Sequence, residues 1–134
     1  MQYIQEIDEN WYIKIPKIGL EASIYEGVSI EVLNKSIGHF ENSGTVSSNI
    51  CLKAYSCGND VNYFEKIKSL RAGDEIIYKK NDYTCSYIVE FSGVINLNDL
   101  SYLAQGDDNM ITLITNIENE PGYLRCVQAV ADGG

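Results

Sequence analysis

The sequence predicts an all-β fold, a closed barrel of eight short strands with two or three short helices between them. In most segments apolar residues alternate with polar ones, the two-residue period of a strand with one buried face. Glycine, proline, asparagine and serine interrupt these segments after only a few residues. Short strands at regular intervals in one small domain are typical of barrels and sandwiches, not of a parallel α/β sheet.

The clearest of these strands lie at residues 11–15, 20–24, 49–54, 74–79, 83–92, 110–115 and 123–131. In the first strand Trp11, Ile13 and Ile15 share one face. It ends at Pro16 because proline lacks the N–H that a strand ladder needs. The segment 110–115 is apolar on both faces, so we expect it in the middle of a sheet.

The longest alternation, at residues 83–92, predicts a strand with one continuous apolar face. That face is formed by Tyr83, Cys85, Tyr87, Val89 and Phe91. After Gly73 the segment 74–79 is also predicted to be a strand, with Ile76 and Tyr78 on the same side.

Two short helical segments are predicted between strands. Ser29 is a favourable N-cap residue for a helix over residues 29–36, with Ile30 and Leu33 on one side. A helical turn is expected over residues 98–103.

A third helix is predicted from a capping pattern at residues 62–65. Asn62 occupies the cap position, and a glutamate follows three residues later. Phe64, Ile67 and Leu70 continue the pattern at helical spacing.

Size and charge exclude several classes of function. A chain of 134 residues is one domain, which we place at residues 11–131 after an N-terminal extension at residues 1–10. The net charge of −9 argues against nucleic acid and against an anionic membrane surface as partners. The extension is acidic, and no apolar run approaches the ~20 residues of a spanning helix. The anchor or signal of an exported protein would therefore have to lie outside this sequence.

The cysteines do not indicate a metal site. The four cysteines, at Cys51, Cys57, Cys85 and Cys126, include no pair with zinc-site spacing, and the chain has one histidine. Cys85 falls on an apolar strand face. Cys51 and Cys126 fall on strands that bring them close if the strands are neighbours. We expect free thiols, and because the acidic residues form no calcium loop we expect no metal and no cofactor.

Six groups of segments match, in order, the motifs of one known family. They are Ile15-Pro-Lys-Ile-Gly-Leu20 with Tyr25-Glu-Gly27, Val32-Leu33 with Gly38-His39, Asn49-Ile-Cys-Leu-Lys-Ala-Tyr55, Tyr63-Phe64 with Leu70 and Gly73-Asp-Glu-Ile76, Ile111-Thr-Leu-Ile-Thr115, and Leu124-Arg-Cys-Val-Gln-Ala129. The match runs from about Trp11 to Ala129. On these motifs the chain resembles the sortases of Gram-positive bacteria, with the class B and class D-like enzymes closest.

The resemblance implies a cysteine transpeptidase that works at the outer face of the cell membrane. In that family a cysteine thiolate attacks a backbone carbonyl of a sorting signal such as Leu-Pro-x-Thr-Gly. A histidine protonates the leaving amine, and an arginine supports the oxyanion. A thiol suits the first role because it ionises near neutral pH. An imidazole suits the second because its pKa lies close to ambient pH.

The sequence departs from this pattern at the catalytic positions. Asn116 follows Thr115 where the family has cysteine, and Tyr55 stands where the family has histidine. An amide is not a nucleophile of this kind, and a phenol with a pKa of ~10 is a poor proton shuttle at neutral pH. The arginine position is Arg125 in one alignment and Leu124 in the alignment shifted by one residue. That shift moves a strand side chain to the opposite face.

Other residues are candidates for the site that remains. Tyr55, Asn116 and Arg125 are expected to converge in a groove between the strands at 49–54, 110–115 and 124–129. Thr115, Glu118 and His39 would adjoin it, with His39 at the surface or in a loop and not acting as the shuttle. Cys57, in a Ser-Cys-Gly turn, is the one thiol placed to act as a displaced nucleophile, although no neighbouring residue in the sequence lowers its pKa.

Three functional hypotheses follow. The first is a degenerate sortase domain that no longer catalyses but binds or scaffolds at the cell surface, its partner a sorting-signal-like peptide or a surface protein. The second is an active cysteine transpeptidase or peptidase that uses Cys57. The third is a purely structural module whose groove is filled.

Overall fold

The computed structural model describes residues 10–132, which form a closed barrel of eight strands. The strands are β1 Trp11–Ile15, β2 Leu20–Glu26, β3 Ile37–His39, β4 Asn49–Lys53, β5 Glu75–Lys80, β6 Tyr83–Asn96, β7 Met110–Asn116 and β8 Tyr123–Ala131. Around the barrel they follow the order β1-β2-β3-β4-β7-β8-β6-β5, and β5 pairs with β1 to close it. The predicted fold class is confirmed. The predicted extension at residues 1–10 lies, except for Asn10, outside the described residues.

The pairing of β4, β7 and β8 determines which residues meet at one edge of the barrel. β4 and β7 are parallel, so both strands end at the same edge. β8 is antiparallel to β7, so β8 begins there. The chain that follows β4, the end of β7 and the start of β8 are therefore neighbours in space although they are distant in sequence.

Alternate side chains of the strands fill the barrel with an apolar core. β1, β5 and the first half of β6 contribute Ile13, Ile15, Ile76, Tyr78 and Tyr87, all fully buried. β7 is buried on both faces, as predicted. Ile111 and Leu113 belong to the barrel core, and Ile114 belongs to a second cluster.

The helices are shorter than the sequence predicts. Residues Ile30–Leu33 form one turn of α-helix, α1, and the Ser29 hydroxyl accepts a hydrogen bond from the Val32 N–H as an N-cap should. Leu33 is buried but Ile30 is 70% exposed. The helix is thus four residues long where residues 29–36 were predicted, and of the two apolar residues predicted on one side only Leu33 reaches the core.

The helix predicted from the capping pattern at residues 62–65 is also wrong. The segment forms turns and a 3-10 helix at Ile67–Ser69, and the Asn62 side chain donates to the Asn59 carbonyl. Phe64, Ile67 and Leu70 are nevertheless all fully buried. A three-residue apolar spacing is satisfied by successive 3-10 turns as well as by an α-helix.

Two further 3-10 helices lie at Pro16–Ile18 and Ser101–Leu103. The second falls within the helical turn predicted over 98–103. No helix among the described residues is long and apolar enough to cross a membrane.

β6 is longer than predicted and is irregular at its centre. Its pairing with β8 shifts register between Val89 and Phe91, so these two residues do not share a face as they would in a regular strand. Val89 lies in the core, whereas Phe91 is 43% exposed. The prediction that Phe91 continues the apolar face is wrong, because an extra residue in one strand reverses the facing of those that follow.

Candidate functional site

A cavity of about 610 Å³ opens at the edge where β4 and β7 end and β8 begins. It is lined by Ser56, Cys57, Phe64, Glu65, Lys66, Lys68, Thr115, Asn116, Ile117, Glu118 and Arg125. The lining thus brings a thiol, a carboxamide, three cationic and two carboxylate side chains into one space.

Asn116 is the last residue of β7, and its polar groups bind the loop that follows β4. The Ser56 N–H donates to Asn116 Oδ1 over 2.8 Å, and the Ser56 hydroxyl donates to the Asn116 carbonyl over 2.5 Å. Asn116 Nδ2 lies 3.4 Å from the carbonyl oxygen of Cys57 and 3.4 Å from its Sγ. Both ends of the Asn116 amide are therefore used within the protein.

Cys57 is half-buried and places its sulfur beside Asn116. The Ser56 hydroxyl lies 3.6 Å from Cys57 Sγ, so the thiol has two polar neighbours in the cavity. Three cationic side chains, those of Lys66, Lys68 and Arg125, line the same cavity. No cation is adjacent to Cys57 in the sequence, so it is the fold that brings positive charge into the cavity with this thiol.

The register between β7 and β8 separates two neighbouring residues of β8. Asn116 pairs with Leu124, and Thr115 pairs with Arg125. Directly opposed residues of an antiparallel pair project to the same face, so Leu124 shares a face with Asn116 and Arg125 with Thr115. Leu124 is buried, whereas Arg125 is half-buried and lines the cavity.

The sequence model that describes the sortase domain family matches residues 13–127 of this chain. The chain belongs to the sortase family. None of the curated protein sequences matches it significantly.

Solved sortase structures agree in fold. The chain is 29% identical to the sortase D5 transpeptidase of Clostridium perfringens, with a TM-score of 0.83, covering 96% of this chain and 83% of that one. It is 26% identical to sortase C1 of Streptococcus agalactiae, with a TM-score of 0.83, covering 92% of this chain and 67% of that one. Sortase A of Listeria monocytogenes shares the fold at 18% identity and a TM-score of 0.83, over 92% of this chain and 86% of that one.

Of the residues singled out in the sequence of this sortase, five share the cavity. They are Cys57, Thr115, Asn116, Glu118 and Arg125. Tyr55 is half-buried and is not among the lining residues, and its carbonyl accepts a hydrogen bond from the Phe64 N–H. The sequence predicts that Tyr55 converges with Asn116 and Arg125. In the structure Asn116 and Arg125 share the cavity, and the polar contacts of Asn116 come from Ser56 and Cys57, where the chain bends just after Tyr55.

Ser56, Lys66 and Lys68 are cavity residues that the sequence analysis missed. Ser56 follows Tyr55 directly, so its position was a usable signal. The two lysines carry no local signal, because they reach the cavity only after the chain returns to the end of β4, where the Phe64 N–H donates to the Tyr55 carbonyl.

His39 is not at the surface of this sortase domain, contrary to expectation. It is fully buried on β3, with Nδ1 2.8 Å from Glu26 Oε2 and Nε2 2.7 Å from the Gly44 carbonyl. Its ring packs 5.4 Å from that of Trp11. His39 does not line the cavity, and its contacts are those of a histidine that holds the barrel together.

The four cysteines are free. Cys51 and Cys126 lie on β4 and β8, which flank β7, and both are buried. Burial raises the pKa of each thiol to about 12, so both stay protonated and unreactive at neutral pH. Among residues 10–132, no three His, Cys, Asp or Glu side chains are placed to hold a metal ion.

The outer face of β7 and β8 next to Asn116 is covered. Tyr102, in the connection between β6 and β7, packs there with Ile114, Leu124 and Cys126. Asn49 links this connection to β7. Its Nδ2 donates to the Tyr102 carbonyl over 2.6 Å, and its Oδ1 accepts from Thr112 Oγ1 over 2.7 Å. Access to Asn116 is therefore from the cavity at the barrel edge.

Proposed function

We propose that this domain is a degenerate, non-catalytic sortase that binds a sorting-signal-like peptide, or such a segment of a surface protein, at the outer face of the Gram-positive cell membrane. One observation carries the proposal. The side chain that stands where the family has its nucleophile is the Asn116 amide, and it is hydrogen-bonded to Ser56 and in contact with Cys57. Such a group stabilises the cavity and has no means of forming an acyl-enzyme.

The other two family roles also lack a suitable group at their expected places. Tyr55 stands at the histidine position but does not line the cavity. The β8 residue that shares a face with Asn116 is the apolar Leu124, and the side chain of Arg125 projects from the opposite face. The arginine of the family is therefore best assigned to the Leu124 position, and Arg125 becomes available for another role.

The open cavity supports binding over a purely structural role. A volume of about 610 Å³ lies in the range of small-molecule and peptide sites, and polar and charged side chains line it. A filled groove, as the structural hypothesis requires, would leave no such space at the ends of β4 and β7.

A second candidate function rests on Cys57. Its thiol lies in the same cavity and touches the residue at the nucleophile position, with Sγ 3.4 Å from Asn116 Nδ2. A thiol displaced by this distance could attack a peptide carbonyl bound there, which would make the domain a cysteine transpeptidase or peptidase.

The experiment incubates the reduced chain with fluorescent Leu-Pro-x-Thr-Gly peptides, with and without an amine acceptor. Fluorescence anisotropy reports binding, and intact-mass spectrometry of the protein and peptide reports chemistry. We expect saturable binding with neither a covalent adduct nor a cleaved peptide.

Variants separate the hypotheses. An adduct or a cleaved peptide that Cys57→Ala abolishes and Cys85→Ala retains would replace the non-catalytic proposal with the Cys57 enzyme. Cys85 is the matched control because it is the other partly exposed thiol. A folded chain that neither binds nor cleaves any of these peptides would support the third hypothesis, a purely structural module.

A further inference from the structure

Within the described part of the chain, Arg125 is a half-buried cation without a partner. Among residues 10–132 its guanidinium takes part in no hydrogen bond and no ion pair, although the chain carries nineteen acidic residues. An arginine presents five N–H donors in a rigid fork, and leaving them partly desolvated and unpaired costs free energy. A ligand acceptor would supply the missing partner.

Arg125 also stands between two hollows of different character. On one side is the cavity already described, where Lys66 and Lys68 add positive charge. On the other is a smaller hollow of about 290 Å³ that Arg125 and Ile117 share with Val94, Glu120 and Tyr123. Val94 is 51% and Tyr123 47% exposed, so this hollow offers uncovered apolar surface.

We propose that these two hollows bind an extended peptide that carries a single carboxylate, with that carboxylate on Arg125 and a neighbouring apolar side chain against Val94, Ile117 and Tyr123. This inference rests on the proposed function, because it names the kind of peptide that the site accepts. The guanidinium fork matches a carboxylate in a bidentate arrangement, and a carboxylate satisfies several N–H donors at once.

The acidic residues around the site limit the charge of the ligand. Glu65, Glu118 and Glu120 line the two hollows, are exposed, and form no ion pair with Arg125. Together with the net charge of −9, they disfavour a ligand of high negative charge such as a phosphorylated peptide. The site therefore fits a ligand with one carboxylate, which Arg125 can bind.

The test uses NMR of the ¹⁵N-labelled full chain, because the sequence contains only two arginines, Arg71 and Arg125. Their Nε–H signals are assigned from the spectrum of Arg71→Gln. The probes are pools of capped hexapeptides whose outer positions vary among Ala, Gly, Ser and Thr. The two central positions carry leucine beside glutamate in both orders, with pools containing glutamine for glutamate or serine for leucine as references.

We expect the glutamate pools to shift the Arg125 Nε–H signal saturably and to leave that of Arg71 unchanged. Glutamine in place of glutamate should weaken binding about tenfold or more, the effect of losing a charge-assisted hydrogen bond. Serine in place of leucine should weaken it severalfold. Arg125→Gln should remove the preference for glutamate, Arg125→Lys should keep part of it, and Arg71→Gln should keep all of it.

The outcomes distinguish this inference from the proposed function. Equal binding of the glutamate and glutamine pools would refute the carboxylate site while leaving a peptide-binding domain. Free acetate that shifts the Arg125 signal as strongly as the peptides would reduce the site to adventitious anion binding. No binding of any pool, or of the sorting-signal peptides, would reject both proposals. The glutamate–glutamine comparison on the unaltered chain decides the matter even if Arg125→Gln fails to fold.

Discussion

The Asn116 side chain joins two parts of the chain that are sixty residues apart. Its Oδ1 accepts from the Ser56 N–H, and its Nδ2 faces the Cys57 carbonyl and sulfur, so the loop after β4 is held against the end of β7. A half-buried amide that satisfies a backbone N–H in this way stabilises the fold, because the N–H would otherwise lose its partner. Asn116 therefore has a structural role at the end of β7.

Replacing this amide should destabilise the domain. We expect Asn116→Ala to lower the free energy of unfolding by about 1–3 kcal/mol, the usual cost of leaving a buried donor unsatisfied. Urea denaturation followed by Trp11 fluorescence measures it. The matched control is Asn98→Ala, because Asn98 is exposed and its side chain makes no hydrogen bond within the described residues. Equal stability of the two variants would contradict the structural role of Asn116.

Among the elements, the parallel pairing of β2 with β3 depends on a close backbone approach. Gly38 pairs with Tyr25, and a Cβ placed on Gly38 would lie 2.2 Å from the Gly27 carbonyl oxygen. The Gly27 N–H donates to the His39 carbonyl over 2.9 Å, so the backbone cannot move away without losing a hydrogen bond. β3 is only three residues long, which leaves it few other bonds to hold its place.

Adding one methyl group at this contact should therefore be costly. We expect Gly38→Ala to lower the unfolding free energy by about 1–3 kcal/mol, as overpacking in a rigid environment does. Thermal unfolding by circular dichroism measures it. Gly106→Ala is the control, because no atom lies within 4 Å of a Cβ built on Gly106. If both alanine variants melt at the temperature of the unaltered chain, the backbone approach is not as close as described.

For the molecule as a whole, buried ionisable groups determine how stability varies in alkaline solution. Burial raises the pKa of Cys51 and of Cys126 from 9.0 to about 12. Burial also raises the pKa of Tyr78 and of Tyr87 above the ordinary tyrosine value. Between pH 9 and 12 the folded chain keeps the thiol protons that the unfolded chain releases, so stability falls as pH rises.

The loss of unfolding free energy steepens above pH 9 and approaches about 1.4 kcal/mol per pH unit for each thiol as the unfolded thiol becomes fully ionised. Urea titrations at pH 7, 9 and 10 measure it, with reductant present throughout. The double variant Cys51→Ala, Cys126→Ala should show a shallower slope between pH 9 and 10. Comparison with its own value at pH 7 removes the cost of the cavities that the substitutions leave. A slope that the double variant does not change would show that these thiols ionise alike in both states.

Much of the architecture was determined by local patterns in the sequence. Alternation predicted β1 and β8 with their observed bounds, and apolar residues on both faces predicted β7 between two other strands. These predictions succeed because facing along a strand depends only on neighbouring residues. The ordered motifs similarly indicated the sortase family, and their departures drew attention to Asn116 and Arg125.

The tertiary structure alone decided which side chains meet. Register across β7 and β8 separated Arg125 from Leu124, and the bend after β4 brought Ser56 and Cys57 to Asn116. Local periodicity carries no information on such contacts, because strand register, barrel closure and loop return depend on pairings between residues far apart in the chain. For the same reason His39 is predicted from the sequence at the surface or in a loop, whereas closure of the barrel buries it.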